Sequence, residues 1–275
     1  MSVPWWEQGF MVLDTETTSA NPELAQVASI CHAVINPADR EKAVHNALIA
    51  VEMPAEAAAV NGLSTELLMS AGKNAASVLD EYCANIASSL SLGVPVIIAN
   101  AVYDLTVLDR DCRRNGVPTI SDRLDGNPLA PVVDPMVLDK KVEKYRRRVS
   151  ETQGARCLKT LAQVHGVGWD DELAHTAEYD ALQAGRVAWQ LMRRYPALAR
   201  MSLAELHEAQ IGWYAEQSES LAQFFRRSAN DSENLARRTT DDAEQAAHLE
   251  DARALREKAD GVHQDWPLRP FSGAA

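Results

Sequence analysis

Positive charge is scarce in this chain of 275 residues. Its 27 Lys and Arg stand against 39 Asp and Glu, a formal net charge of -12 at pH 7. A scaffold that grips long DNA by neutralising phosphates carries a basic face, so the charge argues against that class. A site that holds one strand end through cations bound to carboxylates is not. Cysteine is sparse as well. Cys31, Cys83, Cys112 and Cys157 are scattered, with no CxxC metal pair and no disulfide framework; they read as reduced thiols of a cytosolic protein. No run approaches the roughly 18–20 apolar residues of a membrane span. The opening MSVPWWEQGF has no basic segment followed by an apolar one, so no secretory leader is expected. The expected location is cytoplasmic, without a membrane partner. No internal repeat is visible. The rest, 46% hydrophobic and 24% charged, is ordinary for a globular protein.

Hydrophobic patterning predicts an α/β layer fold with a mixed sheet. Residues 9–13 (GFMVL), 26–35 (QVASICHAVI) and 42–51 (KAVHNALIAV) read as three strands, the last two joined through a turn at Asn36, Pro37 and Ala38. Short helical pieces follow at 55–61 and 64–70. Residues 75–92 place Val78, Leu79, Tyr82, Ile86 and Leu90 at helical spacing before a stop at Gly93. The apolar run 94–99 (VPVIIA) reads as a central strand covered on both faces. A helix from about Val102 to Asn115 comes next, then a short strand at 131–134 and a helix entering a basic stretch. Helices at 157–165 and 175–195 complete a domain expected over residues 8–195. From 197 the character changes. Ser202-Leu-Ala-Glu205 is a capping box opening an amphipathic helix over 202–225. Residues 231–260, rich in Ala, Glu, Asp and Arg, predict a second, mostly solvated helix. Residues 197–275 are thus expected as a helical C-terminal extension, a hairpin with a short tail.

Asp14 and Glu16 follow the first strand. Alternate strand residues share a face, so both carboxylates can reach one cation. Seven acidic pairs have this spacing, at 14/16, 39/41, 109/111, 170/172, 178/180, 231/233 and 242/244, but only the first directly follows an apolar strand. There it lies at a sheet's carboxyl end, where ligands bind in open α/β folds. The bland alternative is a solvated strand end. Asp104, in Ala99-Asn100-Ala101-Val102-Tyr103-Asp104, opens a helix after the 94–99 strand. Alone it fits a carboxylate favoured by the helix dipole; its position beside a second strand end also allows a metal role. His175 and Asp180 begin the 175–195 helix, separated by just over one turn. One can bind metal while the other reaches a water; singly, each is an ordinary surface residue.

Taken together, Asp14-x-Glu16, Asn100-x-x-x-Asp104 and His175-x-Ala177-x-x-Asp180 resemble the three exonuclease motifs of the DEDDh family of 3′→5′ exonucleases. That family includes the proofreading subunit of bacterial replicative DNA polymerases. Val60-Asn61-Gly62-Leu63-Ser64 and Val133-Asp134 resemble two further family segments, and the likeness covers about residues 8–195. It implies a ribonuclease H-like mixed five-stranded sheet flanked by helices. It also implies two ions, Mg2+ or Mn2+. Asp14, Glu16 and Asp180 would bind the first, and Asp14 with Asp104, directly or through water, the second. His175 would be the general base, since an ordinary imidazole titrates near about 6.5. The products would be nucleoside 5′-monophosphates. Thr15, Thr17, Leu63 and Asn100 would surround the terminal nucleotide, although Leu63 fits simple core packing equally well.

Three positions depart from the family pattern: Ala99 where His is frequent, Tyr103 where Phe is common, and Ser19 where Gly often follows the double Thr. They bear on substrate preference, not on reaction type. A DNA 3′ end, single-stranded or frayed, is the expected substrate, in repair or proofreading. RNA 3′-end trimming or oligoribonucleotide degradation is the nearest alternative. A non-catalytic nucleic-acid-binding subunit is a different class, against which the intact five-residue set argues; a metal-dependent phosphatase-like enzyme is more distant. Two regions stand outside the motifs. The stretch 140–148 (KKVEKYRRR) reads as a solvated helix end or as a phosphate-contacting patch of Arg146, Arg147 and Arg148 with Tyr145 available for stacking. The C-terminal helices could pack locally, contact a polymerase or support a homo-oligomer.

Overall fold

Phe10, Met11, Val12 and Leu13 are almost wholly buried. They begin β1 (Phe10–Thr17), the middle strand of a five-stranded sheet in this computed structural model, which describes residues 3–39, 41–271 and 273. Antiparallel to β1 runs β2 (Val27–Asn36), which pairs in turn with β3 (Glu41–Leu48). On the other side β4 (Val96–Ile97) and β5 (Val132–Val133) run parallel. The order β3-β2-β1-β4-β5 makes the mixed sheet that the sequence predicts. Three strands differ most from their expected lengths. β1 continues past Leu13, so the acidic pair lies within its last half, where ladder bonds to β2 fix both residues. β4 and β5 are only two residues each, because helices start soon after them, at Ala101 and Pro135.

Helices α1 (Ala55–Asn61), α2 (Thr65–Ala71) and α3 (Ala75–Ser91) follow β3. Then α4 (Ala101–Arg114) and α5 (Ile120–Arg123) connect β4 to β5, and α6 (Pro135–Val142), α7 (Leu158–Val164), α8 (Ala177–Arg194) and α9 (Pro196–Ala199) follow β5. α8 matters most for the site. Its face of Ala177, Ala181, Ala184, Gly185 and Ala188 is buried and packs on β1 and β2. Small residues let the helix approach closely. A Cβ built on Gly185 would lie 2.6 Å from Val12 Cγ1. Strand alternation puts Val12, Asp14 and Glu16 on one face of β1, and Thr15 and Thr17 on the other.

The chain divides into two units, Met1–Gln210 with Pro267–Ala275, and Ile211–Trp266. In the first, the tail lies on α4. The Arg269 N–H donates to Thr106 Oγ1 at 3.2 Å, Arg110 donates to the carbonyls of Arg269 and Pro270, and the Arg113 guanidinium stands 4.4 Å over the Phe271 ring. The second unit holds most of α10 (Leu203–Ala236) and all of α11 (Asp242–Asp260). Ser218, Ala222, Ala229, Ser232 and Ala236 form a buried seam of small residues along α10. Ser232 bonds Asp251 at 2.5 Å and Arg256 pairs with Glu233 at 2.7 Å across the hairpin. Residues 231–236 therefore belong to α10, not to the second helix as the composition suggests. The break comes at Thr239–Asp241: Asp241 Oδ1 accepts the Glu244 N–H at 2.8 Å and starts α11 as its N-cap. Among the described residues, no helix is long and apolar enough to cross a membrane.

Candidate active site

The close approach of α8 to β1 brings three carboxylates together. Asp14, Glu16 and Asp180 each offer an oxygen, and these oxygens lie within 4.8 Å of one another. Burial pushes the Asp14 carboxyl well above its ordinary range, and the charges of Asp104, Glu16 and Asp180 push it further. Burial, then Asp180 and Asp104, raise Glu16 to about 8. Burial raises Asp180 to about 6, with the nearby His175 opposing the rise. Asp180 Oδ1 is buried with no hydrogen-bond partner. A buried carboxylate oxygen left this way is costly. A divalent cation would relieve both the missing partner and the mutual repulsion. An all-oxygen donor set suits hard ions of the Mg2+ and Mn2+ kind, so the residues fit the ions that the motifs imply.

Asp104 is placed by a different device. It lies in the first turn of α4, and its Oδ1 accepts both the Thr15 N–H at 3.0 Å and the Thr15 hydroxyl at 2.7 Å. Burial raises it to about 7 against the lowering effect of those bonds. The start of α4 is itself pinned. Asn100 has left-handed backbone angles, φ 61 and ψ 48, and its side chain caps nothing. Instead Asp134, at the end of β5, accepts the N–H groups of Asn100 at 3.2 Å and Ala101 at 3.0 Å. It also accepts the Met136 N–H, while its own N–H donates to Gln210 Oε1 at 2.8 Å. Burial pushes Asp134 up to about 6. The sequence marks Asp134 only as a landmark. The Asp-Pro step after an apolar pair, an N-cap followed by Pro at the first helical position, was the signal that it holds backbone N–H groups. Nothing in the sequence singles out Gln210.

The remaining expected residues fall into place unequally. Thr15 is buried with its hydroxyl on Asp104, so that side chain positions a carboxylate and does not line a cleft. Thr17 lies part-buried with its hydroxyl against the Tyr103 hydroxyl and the Ser19 carbonyl. Tyr103, where the family commonly has Phe, also donates to the Ser19 carbonyl. Its phenol thus ties the end of β1 to α4. Leu63 does two things: it packs on the buried cluster of Ala28, Val51, Met53 and Leu68, and it lines a cleft. Asn61 holds that loop, accepting the Leu63 N–H at 3.0 Å and donating to the Thr17 carbonyl at 3.5 Å.

His175 is not the first residue of a helix. α8 begins at Ala177 with Thr176 as its N-cap, and His175 precedes it with φ 64. A non-glycine residue in that region stores strain, a feature that concentrates at functional sites. Two clefts meet at Glu16. One, about 630 Å³, is lined by Glu16, Leu63, His175, Tyr179 and Arg186. The other, about 1010 Å³, is lined by Glu16, Thr17, Asn61, Asn100 and Tyr103. Glu16 therefore brings the edge of the carboxylate cluster to the place where two troughs converge.

A family model described as RNase_T, Exonuclease, matches residues 11–188. No curated protein sequence matches the chain. Among solved structures, Escherichia coli Exonuclease I in complex with a dT13 oligonucleotide aligns with a TM-score of 0.53 and 17% identity, over 70% of this chain and 42% of that one. Exonuclease I of Methylocaldum szegediense aligns with a TM-score of 0.55 and 15% identity, over 85% of this chain and 46% of that one. At such identities the likeness is one of fold. The chain spans less than half the length of these exonucleases.

Proposed function

Because the chain belongs to the RNase_T exonuclease family, we propose that it removes nucleotides one at a time from a DNA 3′ end and releases 5′-monophosphates. The observation that carries this proposal is the clustering of Asp14, Glu16 and Asp180, of which Glu16 lines both clefts. Asp14, Glu16 and Asp180 would hold one divalent ion, and Asp14 with Asp104, directly or through water, a second. Bound there, the ions would neutralise the scissile phosphate and the charge on its attacking and leaving oxygens. The chain's own side chains do the rest. His175 takes one proton from the attacking water as its oxygen bonds to phosphorus. The bond from phosphorus to the 3′ oxygen of the penultimate nucleotide breaks, and that oxygen takes up a proton from solvent. Thr15 fixes the Asp104 carboxylate, and Asp134 fixes the helix that carries it. The cleft of Thr17, Asn61, Asn100 and Tyr103 receives the terminal nucleotide. DNA is favoured over RNA because the fold is shared with an exonuclease solved on an oligodeoxynucleotide.

The test is a direct comparison of polymers. Matched single-stranded DNA and RNA of one sequence are incubated with the protein and Mg2+ or Mn2+, and the products are resolved by chromatography. Nucleoside 5′-monophosphates released faster from DNA are expected. Faster release from RNA would overturn the choice of polymer, and 3′-monophosphates would overturn the choice of bond.

A further inference from the structure

Residues 140–148 carry six Lys and Arg in a chain of net charge -12, and burial sorts them into two kinds. Arg146 turns inward. Its Nε and Nη2 bind the two oxygens of Asp139 at 3.1 and 2.5 Å. The Asp139 side chain is wholly buried, and it also meets Arg156 Nε at 3.3 Å and His165 Nε2 at 2.8 Å. Arg146 is therefore an anchor and not, as the sequence pattern suggests, a third phosphate contact. Its neighbours consequently face solvent. Tyr145 is 86% exposed, Lys144, Arg147 and Arg148 are exposed, and the Lys144 ammonium stands 5.7 Å from the Tyr145 ring. Of the nearby acids, Glu143 accepts the Tyr195 hydroxyl at 2.7 Å, and Arg148 donates to the backbone carbonyl of Glu151. The loop is held shut behind the patch, with Arg156 on the Glu143 carbonyl and the Val149 N–H on the Gln153 carbonyl at 3.2 Å.

Its place in the fold gives this patch an occupant. α6 starts at Pro135, next to the Asp134 that pins the helix of Asp104, and its eight residues rise about 12 Å toward the patch. A stacked strand advances about 3.4 Å per nucleotide, so the length of α6 matches roughly four nucleotides. We propose that Lys144, Tyr145, Arg147 and Arg148 dock the single strand about four nucleotides upstream of the 3′ end being cut. The cations take its phosphates, and the Tyr145 ring stacks on a base. The proposal rests on the exonuclease function put forward above. It also answers the acidity of the chain: grip on the strand is concentrated in one anchored loop.

The test measures binding and cleavage on two lengths of labelled oligodeoxynucleotide, a 16-mer and a 3-mer. Binding is followed by fluorescence anisotropy with Ca2+ in place of Mg2+, across a potassium chloride series. An Arg147→Gln, Arg148→Gln double variant is expected to bind the 16-mer roughly ten-fold more weakly at 50 mM salt. Its log-affinity slope against log salt should fall by about 1.4, two contacts at about 0.7 each. Tyr145→Ala should weaken 16-mer binding by roughly ten-fold through lost stacking. Both variants should melt like the wild type and cut the 3-mer at its rate. Arg146→Gln should instead lower the melting temperature with an unchanged salt slope. Unchanged 16-mer affinity and slope in the folded double variant would overturn the proposal. A wild type that cuts neither length would refute the exonuclease function instead, while the binding series still decides the patch.

Discussion

Replacing Gly185 with alanine pushes directly on the joint between α8 and β1. The added Cβ would lie 2.6 Å from Val12 Cγ1 and 3.3 Å from Phe10 Cε2. Carbon atoms in contact normally stand about 3.5–4.0 Å apart, so a gap of about 1 Å must open. Val12 cannot yield. It is wholly buried, its β-branched side chain is stiff, and its strand is bonded beside Ala33 on one side and Ile97 on the other. α8 must therefore move. Overpacking of this kind costs about 1–3 kcal/mol, and each kcal/mol lowers the melting temperature of a protein this size by about 2–4 °C. The same shift carries Asp180 away from Asp14 and Glu16, and a misplacement near 1 Å costs on the order of 100-fold in rate. Thermal melts and Mg2+-dependent nucleotide release measure both effects. Gly212 is the control, a helical glycine of α10 with nothing within 4 Å of its virtual Cβ. Gly212→Ala should stabilise by up to about 1 kcal/mol and leave the rate alone. Gly185→Ala with wild-type melting and rate would refute this account of how the site is assembled.

Three further outcomes follow from the buried charges. Asp14→Asn removes one of the carboxylates that repel each other, so at pH 8 the metal-free variant should melt higher than the wild type while cleavage falls at least about 100-fold, as lost charge stabilisation of several kcal/mol requires. A lower melting temperature would contradict the repulsion. Glu16 at about 8, Asp104 at about 7 and Asp180 at about 6 all titrate above the ordinary carboxylate range. Between about pH 4 and 8 these three carboxyls thus bind more protons in the folded, metal-free protein than in the unfolded chain, and the stability they confer is lost as pH rises through those values. Calorimetry in chelator should show melting falling from pH 5.5 to pH 8 and Mn2+ reversing the fall; a rise in chelator would be the wrong sign. Asp139→Asn strips the buried partner from Arg146, Arg156 and His165 and should cost about 3–5 kcal/mol in urea unfolding, whereas a loss below about 1 kcal/mol would show that the cluster holds little.

Much of this arrangement was legible in the sequence, because it depends on local periodicity. The strand before Asp14, the long apolar helix through Leu182 and Leu191, and the family order of the motifs all come from residues close in the chain. What the sequence concealed depends on contacts between distant residues. Asp134 acts on Asn100 and Ala101 from more than thirty residues away, and Gln210 acts on Asp134 from further still. The three consecutive arginines at 146–148 are alike as letters; only the buried Asp139 separates Arg146 from the other two. The break before α11 is hidden in the sequence for a simpler reason. Composition stays rich in Ala, Glu and Arg across 231–260, and the short Thr-Thr-Asp-Asp segment that interrupts it is outweighed by its surroundings.

Asp14, Glu16, Asp104 and Asp180 are proposed to form one cation-dependent centre that cuts from the 3′ end. It is tested most directly on single-stranded DNA carrying a 5′ label, with wild type and Asp14→Ala side by side, in Mn2+ and in chelator. The account predicts a ladder of 5′-labelled products shortening one nucleotide at a time, seen only with wild type and only with the ion. Immediate appearance of labelled mononucleotide, undiminished cutting in chelator, or full activity in Asp14→Ala would contradict it.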